Sequence, residues 1–334
     1  MTFSSNRKAA IKKLKKLVLN PKIEISDFRD NIEKEFSTPI LPNRVTCTER
    51  TCGEIKCDIL VPEIYSTKRL ILYIHGGSFV GGSRASWRGF CASLANITSS
   101  KTAVPEFRLA PSHAFPAAVE DIQSCFRTLY TEEQIALSLE ISTENKIAEP
   151  EIILAADGSG AILALALLEN LREKYRKSVK QVILFSPWLN LSLNSPTLQS
   201  KKNSDEVLNA DEIRRSSELY TYASNFENPF VSPMLISDEA LKDFPPFFIQ
   251  MGEKEMLLGD AQAFQKKLQA NGIECKLDVW KNMMFMFQMA DEELPEAHLA
   301  MERIGKLITT QKTTKEDFFA DYSTPVRSSL ATEA

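Results

Sequence analysis

The sequence predicts an α/β fold, in which a mostly parallel, twisted central sheet is flanked by helices. Short apolar runs alternate along the chain with longer segments of helical periodicity, as they do in successive β-α-β units. The stretch from Glu151 to Leu165, which we call the elbow, joins a buried strand to a helix through a tight, glycine-rich turn. The chain has 334 residues, which is enough for one large α/β domain.

The composition is that of an ordinary globular protein and excludes several functional classes. Hydrophobic residues make up 43% of the chain, charged residues make up 25%, and the net charge is −4 at pH 7. These values argue against a disordered chain and against a dedicated nucleic-acid binder. No apolar run approaches the roughly 20 residues that a membrane span needs. No secretory signal follows the basic start, so we predict a cytoplasmic protein.

The cysteines predict neither a disulfide framework nor a metal site. No pair is spaced Cys-x-x-Cys, and no Cys/His cluster has zinc spacing. The spacing of five between residues 47, 52 and 57 fits neither zinc nor one face of a strand, so we interpret it as incidental. We expect free thiols in a reducing compartment, with no metal and no other cofactor. The six cysteines are Cys47, Cys52, Cys57, Cys91, Cys125 and Cys275.

The N-terminal segment predicts two helices. Residues 6–20 have an apolar face surrounded by lysine and arginine, which is typical of a basic amphipathic helix. Such a helix can contact an anionic membrane surface or a partner. The interpretation we prefer is a lid helix whose apolar stripe packs on the domain. Residues Ser26–Phe36 predict a second helix with Ser26 as its N-cap and apolar residues at spacing four, namely Phe28, Ile32 and Phe36.

The remaining segments alternate between strands and helices. We predict a lid at residues 1–44, a main domain at 45–311 with a cap insertion at about 195–228, and a loose tail at 312–334. Predicted strands are an antiparallel edge region Cys52–Val61, then Arg69–His75, Lys101–Phe107, Gln181–Phe185, Phe247–Met251 and Glu274–Trp280. Predicted helices are Phe115–Tyr130, the elbow helix to about Lys177, Gly259–Asn271 and Pro295–Thr310, with a polar surface insertion at Glu132–Glu149.

Several short motifs stand out between Lys68 and Leu307, among them His75-Gly76-Gly77-Ser78-Phe79 and Phe107-Arg108-Leu109-Ala110-Pro111. In this order they resemble motifs of the hormone-sensitive-lipase-like family of α/β-hydrolases. The first is similar to the family's His-Gly-Gly-Gly oxyanion motif, with serine at the third glycine, and the second is similar to its Tyr-Arg-Leu-Ala-Pro segment. The resemblance implies the α/β-hydrolase fold with a helical cap. Further matching stretches are His113 to Ala118, Ser186-Pro187-Trp188, Asn228-Pro229, Ser232-Pro233 and Phe244-Pro245-Pro246.

The same resemblance places the three members of a catalytic triad, and two of them are missing. The family's nucleophile motif Gly-Asp-Ser-Ala-Gly-Gly aligns with Ala156 to Ala161, so that the serine position is Gly158. The family's acid aligns with Glu255, and its histidine aligns with Phe285. Acyl transfer needs a hydroxyl nucleophile and an imidazole that takes its proton. Because both are absent, we predict a pseudoenzyme that is inactive as a Ser-His-acid hydrolase.

The backbone donors of the oxyanion hole survive these side-chain changes. By resemblance they are the N–H groups of Gly76, Gly77 and Ser159, where a ligand oxygen could bind. Alone, such a hole retains about 10³–10⁴-fold catalysis over water. We therefore predict that the pocket binds a small apolar or acyl-like ligand, or that the chain binds a protein partner. We expect no nucleic acid.

Two alternatives remain at the level of sequence. The first is a carboxylic-ester hydrolase that uses Ser159 as a displaced nucleophile. A serine there lies about 100° around the helix from the usual position, and it needs one of the three histidines, His75, His113 or His298. The second alternative is a peripheral membrane or docking protein that acts through residues 6–20.

Overall fold

A twisted eight-stranded sheet forms the centre of the molecule in the computed structural model, which describes residues 3–38, 40–42, 44–64, 69–140, 149–192, 195–199 and 205–310. The strand order is β1-β2-β4-β3-β5-β6-β7-β8, and only the pairings of β1 with β2 and of β2 with β4 are antiparallel. The predicted α/β fold with a mostly parallel sheet is confirmed. The strands are β1 (Val45–Cys52), β2 (Ile55–Pro62), β3 (Arg69–Ile74), β4 (Lys101–Pro105), β5 (Glu151–Asp157), β6 (Val179–Phe185), β7 (Phe247–Gly252) and β8 (Cys275–Trp280).

The central strands are buried on both faces because helices cover the sheet from both sides. Ile71 of β3, Ile153 of β5 and Ile183 of β6 are at most 1% exposed. Parallel strands of this kind are continuous hydrophobic runs rather than alternating ones. The apolar runs of the sequence therefore identified β3, β5 and β6 well.

The helices match the predicted order with different ends. The predicted helix Phe115–Tyr130 continues to Glu140, so the first part of the predicted polar insertion is helical; residues 141–148 lie outside the described part. The elbow helix ends at Asn170 rather than near Lys177. The helices are α1 (Phe3–Leu14), α2 (Ile25–Phe36), α3 (Arg84–Thr98), α4 (Ala117–Glu140), α5 (Gly160–Asn170), α6 (Glu173–Arg176), α7 (Pro196–Gln199), α8 (Ala210–Tyr220), α9 (Asp238–Leu241), α10 (Leu258–Ala270) and α11 (Pro295–Thr310).

The N-terminal helix is shorter than its amphipathic pattern predicts. α1 is followed by a short 3₁₀ turn that ends at Leu17, and the backbone is extended at Val18. Helix α2 begins at Ile25 after Glu24 at the N-cap, so Ser26 is not the cap. The predicted apolar stripe of α2 is buried as expected. The start of α2 differs from the prediction by about two residues, which is ordinary for a helix end. The end of α1 at Leu14 differs by more, because the chain turns there into a 3₁₀ turn and then an extended segment.

The lid packs on the domain through both its apolar and its charged side chains. Leu14 and Leu17 are 0% and 3% exposed. The guanidinium of Arg7 donates to the carbonyl of Asn282 at 2.9 Å, and Lys13 pairs with Glu293 at 3.2 Å. Leu14 of α1 and Leu17 of the 3₁₀ turn therefore face protein. None of the described helices is both long and apolar enough to cross a membrane.

The predicted antiparallel edge region Cys52–Val61 comprises the end of β1, a turn at Gly53-Glu54 and β2 up to Val61. Cys52 pairs with Ile55, and Cys57 comes two residues after Ile55, so Cys57 lies on the same face of the hairpin as Cys52. A spacing of five would place the two cysteines on opposite faces of one continuous strand, and the turn between them changes that. The predicted tail at 312–334 lies outside the described residues.

Candidate functional site

The elbow has the backbone geometry of a strand–turn–helix junction. Strand β5 ends at Asp157, Gly158 adopts a φ of +47°, and α5 begins at Gly160. A Cβ at Gly160 would lie 2.3 Å from the carbonyl oxygen of Ile74, so α5 approaches β3 as closely as backbones allow. This close approach fixes the N-terminus of α5 beside the ends of the central strands.

The position of the expected nucleophile carries no side chain, and a phenyl ring stands against it. A Cβ built on Gly158 would lie 3.3 Å from Cζ of Phe285 and 4.0 Å from Nε1 of Trp188. Phe285 is only 3% exposed. The loop that would carry the histidine therefore still reaches the elbow, but it presents hydrocarbon instead of a base.

The expected acid, Glu255, is present, and it is connected by hydrogen bonds to the backbone of the loop that carries Phe285. The hydroxyl of Ser186 donates to Oε1 of Glu255 at 2.8 Å, and it accepts the N–H of Met286 at 3.0 Å. The N–H of Gly252 also donates to Oε1. Among the described residues Oε2 has no hydrogen-bond partner. Glu255 is 4% exposed, so the carboxyl now anchors the loop of Phe285 through Ser186.

Burial favours the neutral, protonated form of Glu255. Desolvation, followed by the charge of Asp205, raises the pKa of Glu255 well above its ordinary value. Desolvation also raises the pKa of Asp205, while backbone hydrogen bonds, including one from Phe285, lower it. Asp205 was not singled out from the sequence. Its only signal there was a carboxylate in the polar cap stretch, which gives no hint that the cap reaches the elbow.

The predicted oxyanion turn, residues 75–79, has an unusual backbone conformation, and the N–H of one predicted donor is occupied. Gly77, Ser78 and Phe79 have φ values of +89°, +58° and +64°. The N–H of Gly76 donates to Oδ1 of Asp157 at 3.1 Å. The prediction of Gly76 as an oxyanion donor is therefore wrong, because its single N–H is already bound. The N–H groups of Gly77 and Ser159 remain predicted donors.

The carboxyl of Asp157 accepts hydrogen bonds from several elements, which the sequence did not reveal. Its Oδ1 accepts hydrogen bonds from the hydroxyl of Tyr73 and the indole of Trp87, each at 2.8 Å, besides that of Gly76. Complete burial raises the pKa of Asp157 to about 7, although these three donors act in the opposite direction. The carboxyl thus ties β3, α3 and the oxyanion turn to the elbow.

Ser159 is buried and its hydroxyl faces the oxyanion turn. Its Oγ accepts the N–H of Phe79 at 3.2 Å. None of the three histidines is hydrogen-bonded to it. His75 is stacked between Trp87 and Phe107 at 4.9 and 4.3 Å, and burial lowers the pKa of His75 to about 4.

The other two histidines are exposed, whereas Ser159 is buried. His113 is exposed. His298 is exposed on α11, where it pairs with Glu302 at 3.4 Å and lines a groove of about 660 Å³ between α2, α3 and α11. The structure therefore brings no imidazole to Ser159.

An aromatic cluster covers the elbow. The ring of Phe79 stacks on Tyr220 at 4.0 Å and meets Trp188 edge-on at 5.7 Å. Trp188 and Tyr220 are each 2% exposed. Among the described residues, Nε1 of Trp188 and the hydroxyl of Tyr220 have no hydrogen-bond partner. The cluster therefore combines buried aromatic rings with two buried polar atoms.

Comparisons with known proteins agree with the fold. A family model described as alpha/beta hydrolase fold matches residues 71–289. An esterase of Acinetobacter venetianus is 30% identical over 246 residues, which cover 73% of this chain and 76% of the relative. An acetyl-hydrolase of Streptomyces hygroscopicus is 28% identical over 242 residues, which cover 72% of this chain and 76% of the relative.

A solved structure extends the similarity to nearly the whole chain. The crystal structure of an esterase from the bacterial hormone-sensitive lipase family superposes with a TM-score of 0.78 at 25% identity, over 94% of this chain and 100% of that one. The chain therefore belongs to the α/β-hydrolase family. Within this family it is a hormone-sensitive-lipase-like member of the esterase/lipase type.

Proposed function

We propose that this chain is a non-hydrolytic member of its family that binds a small ligand at the elbow. The observation that carries the proposal is the contact between Gly158 and Phe285. Where the family has a hydroxyl and an imidazole, this chain has a backbone turn and a phenyl ring 3.3 Å from the glycine's Cβ position. Without nucleophile and base, the retained N–H donors can hold a ligand oxygen but cannot transfer an acyl group.

The aromatic cluster indicates the chemistry of the ligand. Buried polar atoms are nearly always hydrogen-bonded, and an unpaired one costs about 1–3 kcal/mol. The indole N–H of Trp188 and the hydroxyl of Tyr220 have no partner among the described residues. A small, mainly apolar molecule with a carbonyl or similar acceptor would satisfy Trp188 and bury its hydrocarbon against Phe79 and Phe285.

Binding of p-nitrophenyl butyrate to the full chain tests the proposal. Equilibrium dialysis measures the bound fraction, and chromatography measures how much of the ester is recovered intact. We expect saturable binding of one equivalent with release of p-nitrophenolate no faster than in buffer. Trp188→Phe removes the donor but keeps an aromatic ring, so it should weaken binding about 10-fold, the value of one hydrogen bond.

Trp280→Phe is the matched control. Its indole Nε1 already donates to Asp278 of β8 at 2.9 Å, so this donor needs no ligand. This variant should bind the ester as the unaltered chain does. Equal affinity in all three proteins, or no saturable binding at all, would contradict the proposed site.

The second candidate function is ester hydrolysis through Ser159, and it is favoured by the relatives that are named esterases. A fluorophosphonate probe followed by peptide mapping distinguishes the two, because the probe reacts with an activated serine whatever the natural substrate. We expect no adduct, since the Ser159 hydroxyl accepts the Phe79 N–H and meets no imidazole. A stoichiometric adduct that disappears in Ser159→Ala would establish the hydrolase instead.

A further inference from the structure

Three buried thiols lie together where the β1–β2 hairpin packs on α4. Cys52 ends β1, Cys57 lies on β2 and Cys125 lies in α4, and each is 0% exposed. Their Sγ atoms all lie within 4.8 Å of one another. We refer to these residues as the thiol cluster. It is remote in sequence from the elbow and takes no part in the proposed function.

Two separate contacts hold the parts of the cluster in place. Gly53, at a φ of +68°, lies so close to α4 that a Cβ there would be 2.3 Å from Oγ of Ser124. The hairpin turn is thus seated directly beside Cys125. On the outer side, Arg50 of β1 pairs with Glu132 of α4 at 3.4 Å. The cluster is therefore an organised junction between a hairpin and a helix.

We propose that the thiol cluster is a three-sulfur binding site for monovalent copper. A metal–sulfur bond of about 2.3 Å in a trigonal plane requires sulfur atoms about 4 Å apart. The observed limit of 4.8 Å is within 1 Å of that spacing. Small rotations of the three side chains would close the site on an ion without moving the backbone.

The donor set selects the kind of ion. Thiolates are soft ligands that favour monovalent copper and zinc, whereas hard cations such as Mg²⁺ and Ca²⁺ take oxygen ligands. Zinc in structural sites has four ligands almost without exception. The group contains three thiols, and none of the chain's histidines belongs to it. Three sulfur donors in a dry junction therefore fit monovalent copper better than zinc.

Binding of the ion is balanced in protons and in electrons. On binding, each thiol that becomes a ligand releases its proton to solvent. The ion keeps its monovalent state, so no oxidant or reductant is consumed.

Titration of the full chain with Cu(I) bicinchoninate under anaerobic conditions tests this site. We expect transfer of one copper per chain and an ultraviolet thiolate-to-copper band. Cys125→Ser should weaken binding by about 100-fold or more, since even loss of an outer partner of a metal ligand costs up to that factor. Cys91→Ser is the matched control, because Cys91 is equally buried but lies outside the cluster. It should bind copper as the unaltered chain does.

A second measurement does not depend on how the variants fold. X-ray absorption of the copper-loaded unaltered protein should show three sulfur neighbours at about 2.3 Å. Nitrogen or oxygen neighbours would overturn the proposal, as would no copper transfer or unchanged affinity in Cys125→Ser. Zinc that excludes copper at equal concentration would overturn the choice of ion. A disulfide among the three cysteines in the anaerobically isolated protein would identify a redox pair instead of a metal site.

Discussion

Asp157 shows how a single buried carboxyl sets the conformation around the elbow. Its Oδ1 accepts three hydrogen bonds, from β3, from the oxyanion turn and from α3. Hydrogen bonds to a carboxylate favour its charged form, whereas burial opposes it. Desolvation is the larger of the two effects here, and the pKa of Asp157 rises to about 7. The folded chain therefore binds this proton more tightly than the unfolded chain does.

This shift predicts a pH dependence of stability. An aspartic acid in an unfolded chain has a pKa near 3.9. Because the folded pKa is the higher one, the stabilising contribution is complete below about pH 4 and is lost as the pH rises through 7. Asp157→Asn keeps an acceptor oxygen but cannot ionise. Between pH 4 and 8 the unaltered chain should lose about 4 kcal/mol more of its unfolding free energy than this variant, as measured by urea denaturation.

Glu54→Gln is the control, since Glu54 is an exposed carboxyl in the hairpin turn. Its stability should follow that of the unaltered chain across the same pH range. If Asp157→Asn also followed the unaltered chain, Asp157 would be ionised in the folded protein at the pH of ordinary unfolded aspartates.

At the residue level, the sequence showed which residue occupies each motif position but not which atom its N–H group binds. Gly158 and Phe285 were found because each occupies a fixed place in a motif. The binding of the Gly76 N–H to Asp157 was missed, because a motif states which residue is present and not where its N–H points. The partner of Gly76 depends on how β3 and the elbow approach each other, which only the folded chain defines.

The elbow helix depends on a glycine where two elements meet. A Cβ at Gly160 would lie 2.3 Å from the carbonyl oxygen of Ile74 and 2.4 Å from that of His75. Both atoms belong to the backbone at the end of β3, which has no room to move inside the sheet. The packing of α5 on β3 therefore requires the absence of a side chain at this position.

Two glycine-to-alanine variants test this packing. Gly160→Ala forces α5 away from β3 and should cost more than about 3 kcal/mol of unfolding free energy. Gly259→Ala is the matched control within α10, where an added Cβ would meet nothing within 4 Å. It should stabilise the chain by about 0.5–1 kcal/mol, because alanine loses less backbone entropy. Similar urea midpoints for the two variants would contradict the close packing.

Elements were predictable where local pattern and tertiary context agree. The strand–turn–helix at residues 151–170 was found because the apolar run, the glycine turn and the helical segment all favour it. The β1–β2 hairpin was not resolved, because Gly53-Glu54 was not recognised as a turn inside the alternating region Cys52–Val61. For the same reason, the sequence did not show that Cys52 and Cys57 lie on one face of the hairpin.

At the scale of the whole molecule, the N-terminal lid is bound to the core of the domain. The N–H of Leu19 donates to Oγ of Ser78 at 3.1 Å. From α2, the guanidinium of Arg29 donates to the carbonyl oxygens of Val80 and Ala110 at 2.7 and 3.0 Å. The lid therefore contacts the oxyanion turn itself. The charge pattern of residues 6–20 did not predict this, because it does not specify what the apolar stripe covers.

The lid interpretation predicts which side of α1 supports stability. Leu14 is 0% exposed, so Leu14→Ala should lower the unfolding free energy by about 2–5 kcal/mol. Lys12→Ala, on the exposed side, should change it by less than about 0.5 kcal/mol. Guanidinium denaturation of the full chain measures both. If α1 kept its apolar face for a membrane, Leu14→Ala would leave the stability unchanged.

The contact between Gly158 and Phe285 also bears on how this protein can change over evolutionary time. A serine returning at residue 158 would meet the phenyl ring and find no base, while a histidine returning at 285 would find no hydroxyl to activate. Neither step alone offers selection any gain in hydrolysis, and the first also places a side chain on a backbone with positive φ. Under the proposed function, the two substitutions therefore protect each other from reversal through the packing of one ring against one glycine.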